Sequence, residues 1–148
     1  MSGKNFWMAS AAAGCVTISV ALAPAFAAGL EPGYWKIIST PVVNGATAPP
    51  QTKMLCLAAD EAADLDKLFS PRMATVNSDC ERAENELTPT SLKWRLKCTG
   101  QMSMDVAGAF TFDTPQHYSA EVTTKGSIAG QSMETRVTID AERVGECP

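Results

Sequence analysis

The most regular pattern in the chain is the alternation of apolar and cationic residues at 92–98, LKWRLKC. A period of two sends successive side chains to opposite faces of a β-strand. One face therefore carries Leu92, Trp94, Leu96 and Cys98, and the other carries the three cations. An antiparallel strand with one face on a core and one in water has this pattern.

Similar segments occur along most of the chain after residue 30. Those in the second half alternate, and two near the start, GYWKIIST and QTKMLCL, are rich in aromatic, β-branched or other apolar residues. Turn-forming residues separate them, including Asn44-Gly45, Thr88-Pro89-Thr90 and the segment DTPQ. The predicted strands are 33–40, 51–57, 80–87, 91–98, 102–112, 118–122 and 133–139.

One segment has a helical pattern instead. In residues 58–69, AADEAADLDKLF, acidic side chains crowd the early turns and a short apolar stripe follows, with Pro71 just beyond the end. The fold class predicted from these elements is mainly β. It is an antiparallel meander of about seven strands that forms a curved sheet or half-open barrel, with one short helix after the second strand.

The N-terminus resembles an export signal. Lys4 is the only charged residue before Glu31, and an apolar run leads to the small-x-small site Ala25-Phe26-Ala27. We expect residues 1–27 to be a cleaved signal peptide and residues 28–148 to form a single disulfide-bonded β domain. The alternatives are an uncleaved membrane anchor, since the apolar run is long enough to span a bilayer, and lipidation at Cys15.

Charge narrows the range of partners. The chain has a formal net charge of −4, and its lysines and arginines are scattered rather than gathered in a stripe. This distribution disfavours nucleic acid and anionic lipid as partners. After cleavage we expect no stable membrane anchor, and the periplasm is the predicted compartment.

Four cysteines remain after the signal peptide, at positions 56, 80, 98 and 147. An even number in a small exported chain favours two disulfides, and three pairings are open. A metal site is the rival interpretation, but the sequence has no C-x-x-C and only one histidine, His117.

The hairpin centred on Pro89 suggests one of these pairings. A symmetric register places Cys80 directly opposite Cys98, within reach of a disulfide. Cys56 would then pair with Cys147. One consequence of this register argues against the pairing. It places three charged residues on the apolar face of the hairpin: Arg82, Glu84 and Glu86. Either a β-bulge corrects the register or the cysteines pair differently.

Four motifs in the chain together resemble a known family. They are a G-x-W opening (Gly33, Trp35), Q-T-x-x-x-C-L (Gln51, Thr52, Cys56, Leu57), W-x-x-x-C-x-G (Trp94, Cys98, Gly100) and a closing G-x-C (Gly145, Cys147). In these motifs and their order, residues 30–147 are similar to the small exported bacterial proteins called domain of unknown function 3617. The resemblance implies export and a shared fold, and no activity. Ala58 departs from it, since many relatives have Thr or Ser there as a helix cap.

No residues in the sequence form a recognisable catalytic set. His117 follows a turn, where a solvated side chain is the usual case, and the carboxylates are spread evenly. The acids of 58–69 lack the glycine and loop of a calcium motif. We therefore expect no enzymatic activity, no cofactor and no metal. A thioether copper(I) site is a minor alternative to methionines that simply fill a core; its candidate ligands are Met54, Met102, Met104 and Met133.

Two functions fit what remains. The first is a non-enzymatic structural or interaction domain, whose apolar face is closed by its own helix and whose partner is unknown. The second is a binding module for a lipid or other apolar small molecule, held in a cavity of the curved sheet. The candidate ligand face consists of Trp94, Met102, Met104, Phe110 and Phe112.

Overall fold

Eight antiparallel strands form one open sheet in the computed structural model of this protein, which describes residues 29–71, 78–100, 103–128 and 130–148. The strands are β1 Gly33–Val43, β2 Ala46–Thr47, β3 Gln51–Leu57, β4 Ser78–Leu87, β5 Ser91–Gly100, β6 Ser103–Thr114, β7 His117–Ile128 and β8 Gln131–Gly145. Two short helices, α1 Ala59–Ala62 and α2 Leu65–Phe69, follow β3. The predicted signal peptide, residues 1–27, and Met102 lie outside the described residues.

The order of the strands is β2-β1-β8-β7-β6-β5-β4, and β3 also pairs with β1. Consecutive strands are neighbours from β4 to β8, so the predicted antiparallel meander is confirmed there. The first strand pairs instead with the last one, through contacts such as Ile37 opposite Ala141. Alternation alone does not predict this, because a period of two defines the faces of a strand and not its neighbours.

The predicted turn at Asn44-Gly45 ends β1. Asn44 has φ 47° and Gly45 has φ 83°, the left-handed conformation that asparagine and glycine tolerate best. The Asn44 side chain also accepts a hydrogen bond from the Glu134 backbone N–H at 2.9 Å. This turn extends β1 three residues past its predicted end and creates the two-residue strand β2.

The helical segment divides into two helices. Asp64 caps α2, because its carboxylate accepts the Lys67 backbone N–H at 3.0 Å. Ala58 has no side-chain oxygen to cap α1, but the Glu61 carboxylate accepts the Ala58 N–H at 3.1 Å. The helical segment is therefore confirmed at its predicted place, as two short helices where one was predicted.

A β-bulge lies between Arg82 and Glu84 on β4. Beyond it, Glu84 pairs with Arg95 and Glu86 pairs with Lys93, so both carboxylates leave the apolar face. On the other side of it Cys80 stays opposite Cys98. The bulge therefore resolves the conflict in the predicted hairpin, except for Arg82, which remains opposite Leu96.

The face of the sheet that carries Trp94 and Phe110, here called the inner face, holds the core. Both helices lie against this face. The largest fully buried side chains of the core are Trp35, Leu65 and Leu92. The opposite, outer face is polar. Among the described residues, no helix is long and apolar enough to cross a bilayer.

Candidate functional site

The inner face is apolar because β5, β6 and β7 keep their alternation in register. Phe110 lies between Leu92 on β5 and Ala120 on β7, and Phe112 lies opposite Tyr118. Directly opposed side chains on one face of an antiparallel sheet are in contact. The register thus gathers the aromatic residues of three strands into one surface.

One part of the inner face is a filled core. Phe69 of α2 packs on Phe110 and Tyr118, with ring centroids 4.7 Å and 5.0 Å apart. Trp35 lies beside Tyr118 and donates its Nε1–H to the Glu31 backbone carbonyl at 3.0 Å. Burial raises the pKa of Tyr118 to about 12. A cavity of only about 30 Å³ remains in this part.

Among the described residues, the neighbouring part of the same face is open. A cleft of about 400 Å³, here called the inner cleft, lies between the end of α2 and strands β5, β6 and β7. The helix end contributes Leu68, Phe69, Ser70 and Pro71; the sheet contributes Trp94, Met104, Val106, Phe110, Val122 and Thr124. Its volume is at the lower end of the range for small-molecule sites, and its walls are mostly apolar.

Trp94 occupies the sheet wall of the inner cleft in an unusual way. Gly108 lies directly opposite it on β6, and an added Cβ at Gly108 would lie 2.4 Å from the indole ring. The ring therefore occupies the space directly over the glycine, which only a residue without a side chain permits. Trp94 is 4% exposed, and its Nε1–H has no hydrogen-bond partner among the described residues.

A polar cluster joins α2 to the edge strand β4. Asp66 accepts a hydrogen bond from the buried Ser70 hydroxyl at 2.8 Å and lies 3.3 Å from the Arg82 guanidinium. These contacts, the Ser70 hydrogen bond foremost, lower the pKa of Asp66. Arg82, which the bulge leaves on the inner face, thus helps to hold α2 in place beside the inner cleft.

Two disulfides close the domain. Cys80 is bonded to Cys98 on the inner face between β4 and β5, and Cys56 is bonded to Cys147. The second bond ties the C-terminal tail to β3 across 91 residues. Paired cysteines of this kind are typical of proteins in oxidising compartments outside the cytoplasm.

The structure separates the members of the predicted ligand face. Trp94, Met104 and Phe110 line the inner cleft. Phe112 belongs to the filled core, where it contacts Phe69 and Tyr118 with centroids 5.9 Å and 6.3 Å apart. The α2 residues and Val122 were not predicted as part of the site, although the apolar stripe of the helix was the signal for them.

The structure brings together only two of the methionines proposed for copper among the described residues: Met104 and Met133 lie on either side of Gly126 in the sheet. Met54 is exposed on β3, and strands β1, β8 and β7 separate it from Met104 on β6. Met133, on β8, is 38% exposed. In the described part of the chain, no group of three or more His, Cys, Asp or Glu side chains is arranged to hold a metal ion.

His117 makes contacts that the sequence did not suggest. Its Nδ1 lies 2.6 Å from Asp113 and its Nε2 lies 3.1 Å from Asp140. The two carboxylates, Asp113 foremost, raise the pKa of His117. Because they lie at opposite edges of the ring, they clamp the imidazole and leave neither nitrogen free as a catalytic base.

A larger cavity, here called the outer cleft, lies at the far end of the sheet and measures about 850 Å³. A row of alternating charge crosses its wall: Lys97, Asp105, Lys125 and Glu134. Lys125 and Glu134 are 3.9 Å apart, with half or more of each side chain exposed. Asp105 is likewise paired, with Arg95 at 2.6 Å. Hydrated, paired charges of this kind give a ligand little reason to displace water, so the smaller inner cleft is the better candidate site.

The comparisons with known proteins agree with the sequence motifs. Neither a curated protein nor a solved structure matches the chain. The model of the family described as Protein of unknown function (DUF3617) matches residues 30–147, which is most of the chain. This protein therefore belongs to the DUF3617 family.

Proposed function

We propose that this protein is an exported, non-catalytic binding module that holds an apolar small molecule in the inner cleft. The observation that carries the proposal is the division of one apolar face into a filled core and an open cleft. Phe69 belongs to both, packing on Phe110 and Tyr118 on one side and lining the cleft on the other.

The free energy for binding would come from apolar surface. The side chains of Leu68, Met104 and Val122 present apolar surface to the cleft. Transfer of such surface out of water contributes about 25 cal/mol per Å². A ligand that fills the cleft would therefore complete the core that the helices cover only in part.

The chemistry of the lining supports binding rather than catalysis. The only hydroxyls among its described residues are those of Ser70 and Thr124. Ser70 donates to Asp66, and His117 lies elsewhere, clamped by its own carboxylates. The carboxylate that Ser70 reaches has a lowered pKa, which makes Asp66 a poor proton acceptor for activating a nucleophile.

Export to the periplasm is the second element of the proposal. The two disulfides support an oxidising compartment, and the apolar N-terminal run with its small-x-small site supports transport by a cleaved signal peptide. A binding module in that compartment would meet envelope lipids and apolar molecules from outside the cell.

Binding can be tested with N-phenylnaphthylamine, a neutral apolar dye that fluoresces when it leaves water. We expect a saturable increase in fluorescence with the wild-type protein. Val122→Phe puts a ring into the cleft and should abolish that increase. Val144→Phe is the matched control, since Val144 is 48% exposed and does not line the cleft. Equal dye binding by both variants and the wild type would refute the proposal.

A further inference from the structure

The apolar lining of the inner cleft continues along the sheet beyond the cleft itself. Val122 on β7 lines the cleft and pairs with Val137 on β8. Val137 in turn pairs with Pro41 on β1. Directly opposed residues of an antiparallel sheet lie on the same face and in contact. These three side chains, here called the apolar track, therefore lead from the cleft across the inner face to β1.

The helices leave the apolar track uncovered beyond its first residue. Val122 packs against the core, whereas Val137 lies outside the packed core of the described residues. Val137 and Pro41 are only half-buried, and Val43, two residues further along β1 on the same face, is 40% exposed. Contiguous exposed apolar side chains indicate an interaction surface, which scattered ones do not.

No charged side chain flanks the apolar track among the described residues of the inner face. The flanking positions on β7, β8 and β1 are apolar or carry a hydroxyl: Ala120, Ile139 and Ser39 on one side, and Thr124, Thr135 and Val43 on the other. An alkyl chain that leaves the cleft can therefore follow the track without taking water from an ionised group, which would be costly.

The dimensions of the track fit an alkyl chain better than a protein. Beyond the cleft it offers only a few side chains, whereas a stable protein interface involves about 20 residues or more on each partner. Neighbouring strands are about 4.8 Å apart, so the four steps from β5 to β1 span about 19 Å, and the cleft takes up the first two. A single extended chain can cover this path, and a compact ring system cannot.

We propose that the ligand of the inner cleft is a long single-chain lipid, whose tail occupies the cleft and continues over Val137 towards β1. The inference rests on the proposed binding function and deepens it by naming the class of ligand. It excludes compact apolar molecules, which fill the cleft alone, as the preferred ligand. Chain length then determines the affinity.

Two straight-chain alcohols, octanol and dodecanol, test this length dependence by displacing N-phenylnaphthylamine from the full protein. Octanol spans roughly the two strand spacings of the cleft, ~10 Å, whereas dodecanol must continue over the track. A methylene that leaves water completely gains about 4-fold in affinity. Because the track covers one side of the chain, we expect about 2-fold for each of the four additional methylenes, or about 16-fold in all.

Val137→Asn should remove most of that gain, because its amide holds water where the track is apolar in the wild type. The affinity for octanol should not change, since Val137 does not line the cleft. Val144→Asn is the matched control. Val144 is a valine near the other end of the same strand, is 48% exposed and belongs to neither the cleft nor the track.

A second measurement does not depend on the variant folding. In the wild-type protein with ¹³C-labelled valine methyl groups, octanol should shift the signals of Val122 and leave those of Val137 in place. Dodecanol should shift both. The signals of Val144 are the internal reference, because this residue is exposed at a distance from the cleft.

Each outcome decides between the site and the class of ligand. Equal affinity for octanol and dodecanol, or a dodecanol gain that survives in Val137→Asn without a shift at Val137, would overturn the long-chain assignment and leave the binding function intact. Failure of the dye and of both alcohols to bind would refute the binding function itself. Loss of the gain in Val137→Asn and its retention in Val144→Asn would establish the track as the site of the tail.

Discussion

Arg82 on β4 and Asp66 on α2 face each other across the inner face, with Nη1 3.3 Å from both carboxylate oxygens. The hairpin register predicted from the sequence places the Arg82 cation on the apolar face, opposite Leu96. The structure gives it a partner on the helix. This pair links the edge strand β4 to α2, the helix whose end lines the inner cleft.

Replacement of Arg82 by alanine should loosen α2. Both side chains are about one-third exposed, so the loss in the free energy of unfolding should not exceed about 1 kcal/mol. The local effect should be clearer: hydrogen exchange should accelerate at the amides of Leu68 and Ser70, which bond to Asp64 and Asp66 within the helix.

Arg136→Ala is the matched control for that variant. Arg136 faces Glu121 at 3.8 Å on the polar side of the sheet, far from α2. Its removal should leave the exchange of the helix amides unchanged. Equal acceleration by both variants would show that Arg82 has no specific role in holding α2.

Gly108→Ala should disturb the packing of Trp94. The new Cβ would lie 2.4 Å from the indole, so the ring or the strand must move, and overpacking of this kind costs about 1–3 kcal/mol. Gly126→Ala on β7 is the control, since its nearest neighbours are 3.3 Å away. The free energies of unfolding in urea, together with near-ultraviolet circular dichroism, should distinguish them. A stable Gly108→Ala with an unchanged spectrum would contradict this close approach of the indole to Gly108.

The two disulfides should contribute unequally to stability. In the chain-entropy model, the bond across 91 residues stabilises by about 4.5 kcal/mol and the one across 18 by about 3 kcal/mol. The double variant Cys56→Ser, Cys147→Ser should therefore unfold at lower urea than Cys80→Ser, Cys98→Ser. The reverse order would indicate that the Cys80–Cys98 bond contributes through the bulged edge strand and not through loop length.

The clamp around His117 should make stability depend on pH. Asp113 and Asp140 raise the pKa of His117 in the folded state above its ordinary value of 6.5. The stabilisation is complete below the unfolded pKa and is lost as pH rises through the folded pKa. His117→Gln should be less stable than the wild type at low pH, and the difference should shrink as pH increases. A difference that is constant with pH would refute the clamp.

Much of the fold could be predicted because alternation assigns residues to faces. The period of two placed Trp94, Phe110 and Phe112 on the apolar face, and the Pro89 hairpin placed Cys80 beside Cys98. The pairing of β1 with β8 could not be predicted in this way. It depends on how the sheet curls, and no local pattern encodes that.

The candidate site was less predictable, because it is the gap that α2 leaves over the sheet and not a set of characteristic residue types. Phe110 and Phe112 lie on the same strand face, yet one lines the inner cleft and the other is core. The division depends on which strands α2 covers, and α2 is a separate helix that begins at the Asp64 cap and ends at Phe69. The clamp on His117 was missed because Asp140 lies 23 residues away in sequence and reaches it only through the β7–β8 register.

The most direct test of the central claim is a native, non-reducing mass spectrum of the full chain expressed in bacteria and isolated from the periplasm. Our account predicts a mass without residues 1–27, with two disulfides and an apolar adduct that is lost on denaturation. The Val122→Phe protein should have the same mass without the adduct. An adduct-free wild-type protein that also fails to take up N-phenylnaphthylamine would contradict the account, and the apolar face would then be a structural core alone.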